Sequence, residues 1–280
     1  MASMKQGCGD CRRSKLAFPF TMAFQPVVDL KERRIISHEA LIRGVNGEGA
    51  AAILAQVNAE NRYAFDQACR AKAIELATAL GIKSNLSINF LPNAVYEPSA
   101  CIRATLEAAK TNGFPLDRIT FEIVEQEDIA ETEHLKSIIA AYKSIGFKIA
   151  LDDFGTGYSG LARLAELKPD IIKLDRIVVK DCDQDTARLA IVANMIRLSR
   201  DLGTNIVIEG VETAAEVEAL RAVGARYMQG YFFARPAFQA AVAEDAIDWP
   251  PRPAPPRAGF ARRKGRLAAR QSSLYEPQLT

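Results

Sequence analysis

Residues 150–161 read ALDDFGTGYSGL, with two carboxylates side by side at Asp152 and Asp153. An apolar run, 147–151, leads into them, and a glycine-punctuated turn, Gly155-Thr156-Gly157, follows. Adjacent acids at the end of a buried strand repel each other, and they need a cation, a shared proton or a basic partner. Other apolar runs contain or end in residues of the same kind: Glu39 within SHEALIRG, Asn89 at an end, Glu122 within a run with Glu125 after it, Lys173 with Asp175, Glu209 with Glu212, and Gln229. Oxygen donors without histidine or thiolate suit Mg²⁺, Mn²⁺ or Ca²⁺ rather than zinc. Adjacent acids allow one to bridge two ions while the other binds only the second. Two metals about 3.5–4 Å apart clamp an in-line displacement at phosphorus, so phosphodiester hydrolysis is the natural reaction class.

Such a cluster forms only if the strand ends meet. Short apolar runs at 22–28, 35–42, 86–90, 119–124, 148–151, 171–174, 206–208 and 227–228 read as strands. Between them, 63–80, 100–112, 131–145, 185–202 and 214–223 have helical period, and several end in glycine, as at Gly81, Gly113 and Gly146. Strand–helix alternation predicts a parallel sheet with crossover helices, and eight repeats over ~230 residues match an α/β barrel of the (β/α)₈, TIM-like type. Such a barrel gathers its strand ends, and its chemistry, on one face.

The 280 residues are 49% apolar and 25% charged, enough for a sizeable core in one large or two small domains. Net charge is +2, but residues 250–280 carry +6 and residues 1–249 carry −4. Residues 1–17 read as a disordered N-terminal segment, 18–248 as the barrel domain, and 249–280 as a Pro/Arg-rich disordered tail. The tail suits nucleic acid, anionic lipid or no partner at all. Five scattered cysteines fit a reducing compartment, and the single Cys8–Cys11 pair lacks the further ligands zinc needs. With no secretory signal and no apolar run of ~18 residues, the expected location is cytoplasmic.

Eight motifs resemble those of the EAL-domain cyclic di-GMP phosphodiesterases, in order. They are FQPVVD (24–29), HEALIR (38–43), SIN (87–89), FEIVE (121–125), DDFGTGYSGL (152–161), PDIIKLDR (169–176), EGVET (209–213) and QGYFFARP (229–236). The resemblance implies a barrel whose first strand is antiparallel to the rest. It implies hydrolysis of cyclic di-GMP to linear pGpG, dependent on Mg²⁺ or Mn²⁺ and inhibited by Ca²⁺. Carried over by position, one metal is held by Glu39, Asn89, Glu122 and Asp152, and the second by Asp152, Asp153 and Glu209. Lys173 orients the attacking water. Glu209 has also been assigned as general base, a role that suits a metal-bound carboxylate poorly. Glu212 and Gln229 support the substrate and its surroundings, while Gln25, Leu41, Arg43 and Asp175 join Gln229 around the substrate. Arg43 offers a planar donor fork to a phosphate. Glu125 matches the anchor of the loop after Asp153, through which the family links dimerisation to the metals. Gly155 and Gly157 would give that loop backbone freedom. A homodimer is implied, and regulation is left to protein partners, the tails or dimerisation.

Plainer readings compete. The Asp152-Asp153 pair could be a helix cap and its neighbour, and Lys173 could form a Schiff base, although five acids would hold it protonated. A catalytically idle cyclic di-GMP receptor and a protein-interaction module are the competing functions. Departures such as Gly160, Phe90, Val124, Ile208 and Gly44 bear on loop motion and affinity, and none removes a proposed ligand.

Overall fold

The computed structural model describes residues 16, 18–95, 97–124, 132–157 and 160–252. The expectations for residues 1–15 and 253–280 lie outside them. Among the described residues, nine strands share one sheet. They are β1 (Thr21–Asp29), β2 (Arg34–Arg43), β3 (Asn85–Asn89), β4 (Ile119–Val124), β5 (Lys148–Phe154), β6 (Ile171–Leu174), β7 (Asn205–Ile208), β8 (Tyr227–Met228) and β9 (Ala237–Phe238). From β2 to β8 each neighbouring pair is parallel. β1 closes the ring by pairing antiparallel with both β2 and β8. The result is an eight-stranded barrel with an inverted first strand, as expected.

The inversion has a local cause. Only residues 30–33 separate β1 from β2, and so short a link permits a hairpin but no crossover helix. Asp29 builds the turn by accepting the amides of Lys31 (2.9 Å) and Glu32 (3.2 Å). It also takes a bidentate contact from Arg226, which ties the hairpin to β8.

Helices wrap the barrel: α1 (Ala50–Leu54), α2 (Arg62–Ala79), α3 (Pro98–Cys101), α4 (Arg103–Asn112), α5 (Thr132–Ile145), α6 (Gly160–Leu167), α7 (Arg176–Val179), α8 (Thr186–Asp201) and α9 (Ala214–Ala222). Three start on side-chain caps, Asp175 at α7 among them. Asp185 accepts the amides of Ala187 and Arg188, and Thr213 forms a capping box with Glu216. Gly113 ends α4 in the left-handed conformation (φ 65°). The outer core falls into two apolar groups, one around β2–β5 with α2, α4 and α5, the other around β5–β8 with α6, α8 and α9.

The fold departs from the sequence reading in four places. The helix expected at 100–112 is two helices, α3 and α4, meeting at Ile102. Short helices α1, α6 and α7 were not anticipated, because four to eight residues show little periodicity. β5 runs on to Phe154 instead of stopping at Leu151. The eighth strand lies where expected, but a ninth is added: β8 pairs with the end of β1 at Val28 and Asp29, the chain makes an excursion over 229–236, and β9 pairs with β1 at Ala23 and Phe24.

Candidate active site

The C-terminal ends of β2 to β7 deliver one acidic or amide-rich cluster around an amine. Lys173, on β6, is 2% exposed. Its Nζ lies 2.9 Å from Glu122 Oε2, 2.9 Å from Asp152 Oδ1, 2.9 Å from Glu209 Oε1 and 3.3 Å from Glu39 Oε2. One ammonium thus faces four carboxylates from four other strands or strand ends. Asn89 donates from Nδ2 to Glu39 Oε1 (3.2 Å). Gln229 donates from Nε2 to Glu39 Oε2 (2.7 Å) and to Gln25 Oε1 (3.3 Å), and Gln25 in turn donates to the Ala234 carbonyl (3.2 Å).

Asp152 and Asp153 reach this cluster together because of a bulge. In a regular strand, successive side chains point to opposite faces. Here Leu151 pairs with Ile172 and Phe154 with Leu174, so two aspartates stand opposite the single residue Lys173. Asp153 adopts φ 53°, a left-handed conformation that is strained for a residue with a side chain. Two groups of carboxylates result, each with ligand atoms within 4.8 Å of one another: Glu39, Glu122 and Asp152, and Asp152, Asp153 and Glu209. Asp152 is common to both.

The electrostatics are those of a site short of positive charge. Burial, followed by the neighbouring acids, raises Glu122 and Glu209 well above the usual carboxylate range against the pull of Lys173. Burial also raises Asp152, with Glu39 adding to it. Asp153 is pushed up to about 6 by burial and then by Asp152 and Asp175. Glu39 is the exception: burial would raise it, but Lys173, Gln229 and Asn89 hold it below its ordinary value. Burial would depress Lys173, yet Asp152, Glu122, Glu209 and Glu39 keep it well above the ordinary lysine range, so it is ammonium and no Schiff-base amine.

The remaining candidates lie around this centre. Leu41 and Arg43 sit half-buried at the end of β2, with Arg43 Nη1 donating to the Ile42 carbonyl (2.7 Å). Asp175 caps α7 by accepting the Ile177 amide (2.7 Å). Glu212 pairs with Arg176 (2.8 Å), which also donates to the Gly210 carbonyl. Neither Asp175 nor Glu212 belongs to either carboxylate group. Glu125 lies outside the described residues. Gly155 takes a left-handed φ of 102°; Gly157 is not among the residues with positive φ, so only the first glycine needs its freedom for backbone conformation.

Sequence reasoning overlooked a buried ion pair behind the site, Asp66 with Arg70 on α2. Its signal was legible as an acid and a base four residues apart on the same face as Ala73 and Ala77, in a helix that must cover the barrel. A cavity of about 1330 Å³ opens at the opposite end of the strands, bordered by Arg34, Lys83, Lys148 and Asp170. It contains neither carboxylate group.

Comparison with known proteins bears on the family and the fold. The family profile described as EAL domain matches residues 12–236. The cyclic di-GMP phosphodiesterase PA2567 of Pseudomonas aeruginosa is 30% identical over 238 residues, covering 82% of this chain and 40% of that protein. The chain spans about half, or less, of the length of the first curated relatives it matches. Among solved structures, a standalone EAL protein from Vibrio cholerae O395 in its c-di-GMP-bound form is 49% identical, with a TM-score of 0.78, covering 81% of this chain and 95% of that one. Klebsiella pneumoniae BlrP1, in a manganese/cy-diGMP complex, is 36% identical with a TM-score of 0.75, covering 80% of this chain and 58% of that one. A calcium/cy-diGMP complex of BlrP1 superimposes similarly, with a TM-score of 0.76. A profile match from residue 12 to residue 236 runs through the whole barrel, and the chain belongs to the EAL-domain family.

Proposed function

We propose that this protein is a metal-dependent phosphodiesterase that hydrolyses cyclic di-GMP to linear pGpG. The observation that carries the reading is the pair of carboxylate groups sharing Asp152. Their donors are all oxygen, and with Lys173 the one ammonium paired to them among the described residues, the five acids retain a formal excess of negative charge, which fits two hard divalent ions. Glu39, Asn89, Glu122 and Asp152 would hold one ion, and Asp152, Asp153 and Glu209 the other. Bound there, the ions supply Lewis acidity and lower the pKa of the attacking water. We assign Mg²⁺ or Mn²⁺ as the productive ions and Ca²⁺ as an inhibitor; the manganese and calcium complexes of BlrP1 support divalent ions in this setting.

The chain's own groups have distinct tasks. Lys173 reaches acids of both groups, which supports a role for its ammonium in orienting the attacking water. Gln229 and Gln25 fix the orientation of Glu39 through a relay of amides. Arg43 and Leu41 stand at the strand end, where a phosphate and a base would enter. Asp175 and Glu212 serve through the loops they hold, one as a cap and one through Arg176.

In this reading, residues 18–248 are the catalytic domain, flanked by segments 1–17 and 249–280. A homodimer, with Glu125 anchoring the loop after Asp153, and a regulatory protein partner complete the proposal. Among the described residues no helix is long and apolar enough to cross a membrane. The test is incubation of purified protein with cyclic di-GMP and Mg²⁺ or Mn²⁺, with the product identified by mass. Linear pGpG is expected. Binding without turnover under either metal would make the protein a receptor instead.

A further inference from the structure

Behind the site, on the outer side of the barrel, α2 carries a charged pair where an apolar face is needed. Arg70 is 0% exposed and Asp66 3%, and they meet at 2.6 Å. The guanidinium lies 5.1 Å from the centre of the Phe90 ring and 5.2 Å from that of Phe121, and donates to the Tyr142 hydroxyl of α5 (2.9 Å). Burial holds the Asp66 carboxyl above its ordinary range in spite of Arg70. A buried ion pair of this kind contributes little or nothing to stability compared with apolar residues of the same volume. What apolar residues could not do is accept a hydrogen bond, and Asp66 Oδ1 accepts the Leu91 amide at 2.9 Å.

The position of that amide matters. Leu91 is two residues beyond Asn89, where the chain leaves β3. Asn89 is in register with Glu122, and the Phe90 amide donates to the Glu122 carbonyl (3.2 Å). Phe90 follows Asn89 and Phe121 precedes Glu122, so strand alternation turns the rings toward Arg70 and Asn89 and Glu122 toward the site. The pair therefore grips, from outside, the two strand ends that present Asn89 and Glu122 inside.

We infer that Asp66 is a positioning residue: through the Leu91 amide it fixes the end of β3 so that Asn89 faces Glu39 and the metal-binding group, and Arg70 is the counter-ion that allows this acceptor to be buried. The inference rests on the assignment of Asn89 as a metal ligand. Groups that orient metal ligands from behind typically affect metal affinity by about 10–100-fold.

Two double variants separate the hydrogen bond from the charge. In Asp66→Asn/Arg70→Met the pair is neutral, but the side-chain carbonyl still accepts the Leu91 amide. In Asp66→Leu/Arg70→Met both charge and acceptor are gone. Mn²⁺ affinity is measured by calorimetry on full-length protein, with thermal denaturation in chelator as the control for folding. The Leu/Met variant should melt close to wild type yet bind Mn²⁺ at least tenfold more weakly, while the Asn/Met variant stays within about threefold of wild type. Wild-type affinity in a folded Leu/Met variant overturns the inference. Equal losses in the two folded variants also overturn it, because the acceptor would then be irrelevant. If a double variant fails to fold, Leu91→Pro in the wild-type background removes the amide donor, together with the leucine side chain and the native φ of −101°, and unchanged Mn²⁺ affinity in that protein overturns the inference. A wild-type protein that binds no Mn²⁺ would refute the metal assignment itself, a different outcome from any of these.

Discussion

Lys173→Met is the substitution that most directly interrogates the centre. Methionine keeps the length and much of the volume of lysine and removes the charge. Four carboxylates contact the ammonium at 2.9–3.3 Å. At an effective dielectric of about 20, each contact is worth about 5 kcal/mol before desolvation is counted. Most of that is cancelled by the cost of burying the ions and by protonation of the acids once the lysine is gone. The net loss expected for removing one partner of a buried ionic cluster is about 3–5 kcal/mol. For a domain of this size that corresponds to a fall in Tm of about 6–20 °C. Calorimetric melting in chelator should show this fall. Added Mn²⁺ should recover more stability in the variant than in wild type, because the ion takes over the neutralising role. Isothermal titration should show Mn²⁺ affinity undiminished, since a competing cation has been removed, while turnover drops by about 10²-fold or more. A variant that melts within about 1 °C of wild type in chelator would refute the view that Lys173 neutralises the metal-free cluster.

Three other outcomes follow from the same geometry. Asp152→Asn should abolish turnover with the circular dichroism of the fold preserved, because Asp152 alone is common to both carboxylate groups; a near-normal rate would exclude a bridging role. Asp153 is raised to about 6, so below that pH its proton competes with the cation, and Mn²⁺ affinity should climb as pH rises from 5 to 7. The effect on the metal-free fold has the opposite sign: a folded-state pKa above the unfolded 3.8 favours folding at low pH, a contribution lost as pH rises through about 6. A flat titration of affinity between pH 5 and 7 would contradict the assignment of Asp153 as a ligand. Gly230→Ala would place a Cβ 2.0 Å from the Val211 carbonyl oxygen, where the excursion after β8 crosses the loop after β7. It should cost about 1–3 kcal/mol or more in chemical denaturation and weaken turnover by displacing Glu209 and Gln229; wild-type stability would show that the two loops part freely.

The acids, the amide and the amine of the site were legible in the chain because each sits within or at the end of an apolar run, and that is a local property. The barrel was legible for the same reason, since strand and helix periods alternate along the sequence; its inverted first strand was implied only by the family motifs, and the four-residue link that admits only a hairpin is seen in the structure. Membership of the family was carried by ordered motifs. What needed the tertiary structure depends on register between distant segments. Period-two alternation sends Asp152 and Asp153 to opposite faces; only the offset between β5 and β6, two residues against one, brings both to the same place. Nothing local shows that Lys173 faces four carboxylates, since these come from residues 39, 122, 152 and 209. Nor does the sequence reveal that Asp66 and Arg70 lie behind Asn89, because α2 and the end of β3 meet only after the barrel has closed. Sequence by itself determined which chemical groups are present and the order in which they are delivered. Packing decided which of them share a face, because facing depends on strand register and helix placement, and those are fixed by contacts between residues far apart in the chain.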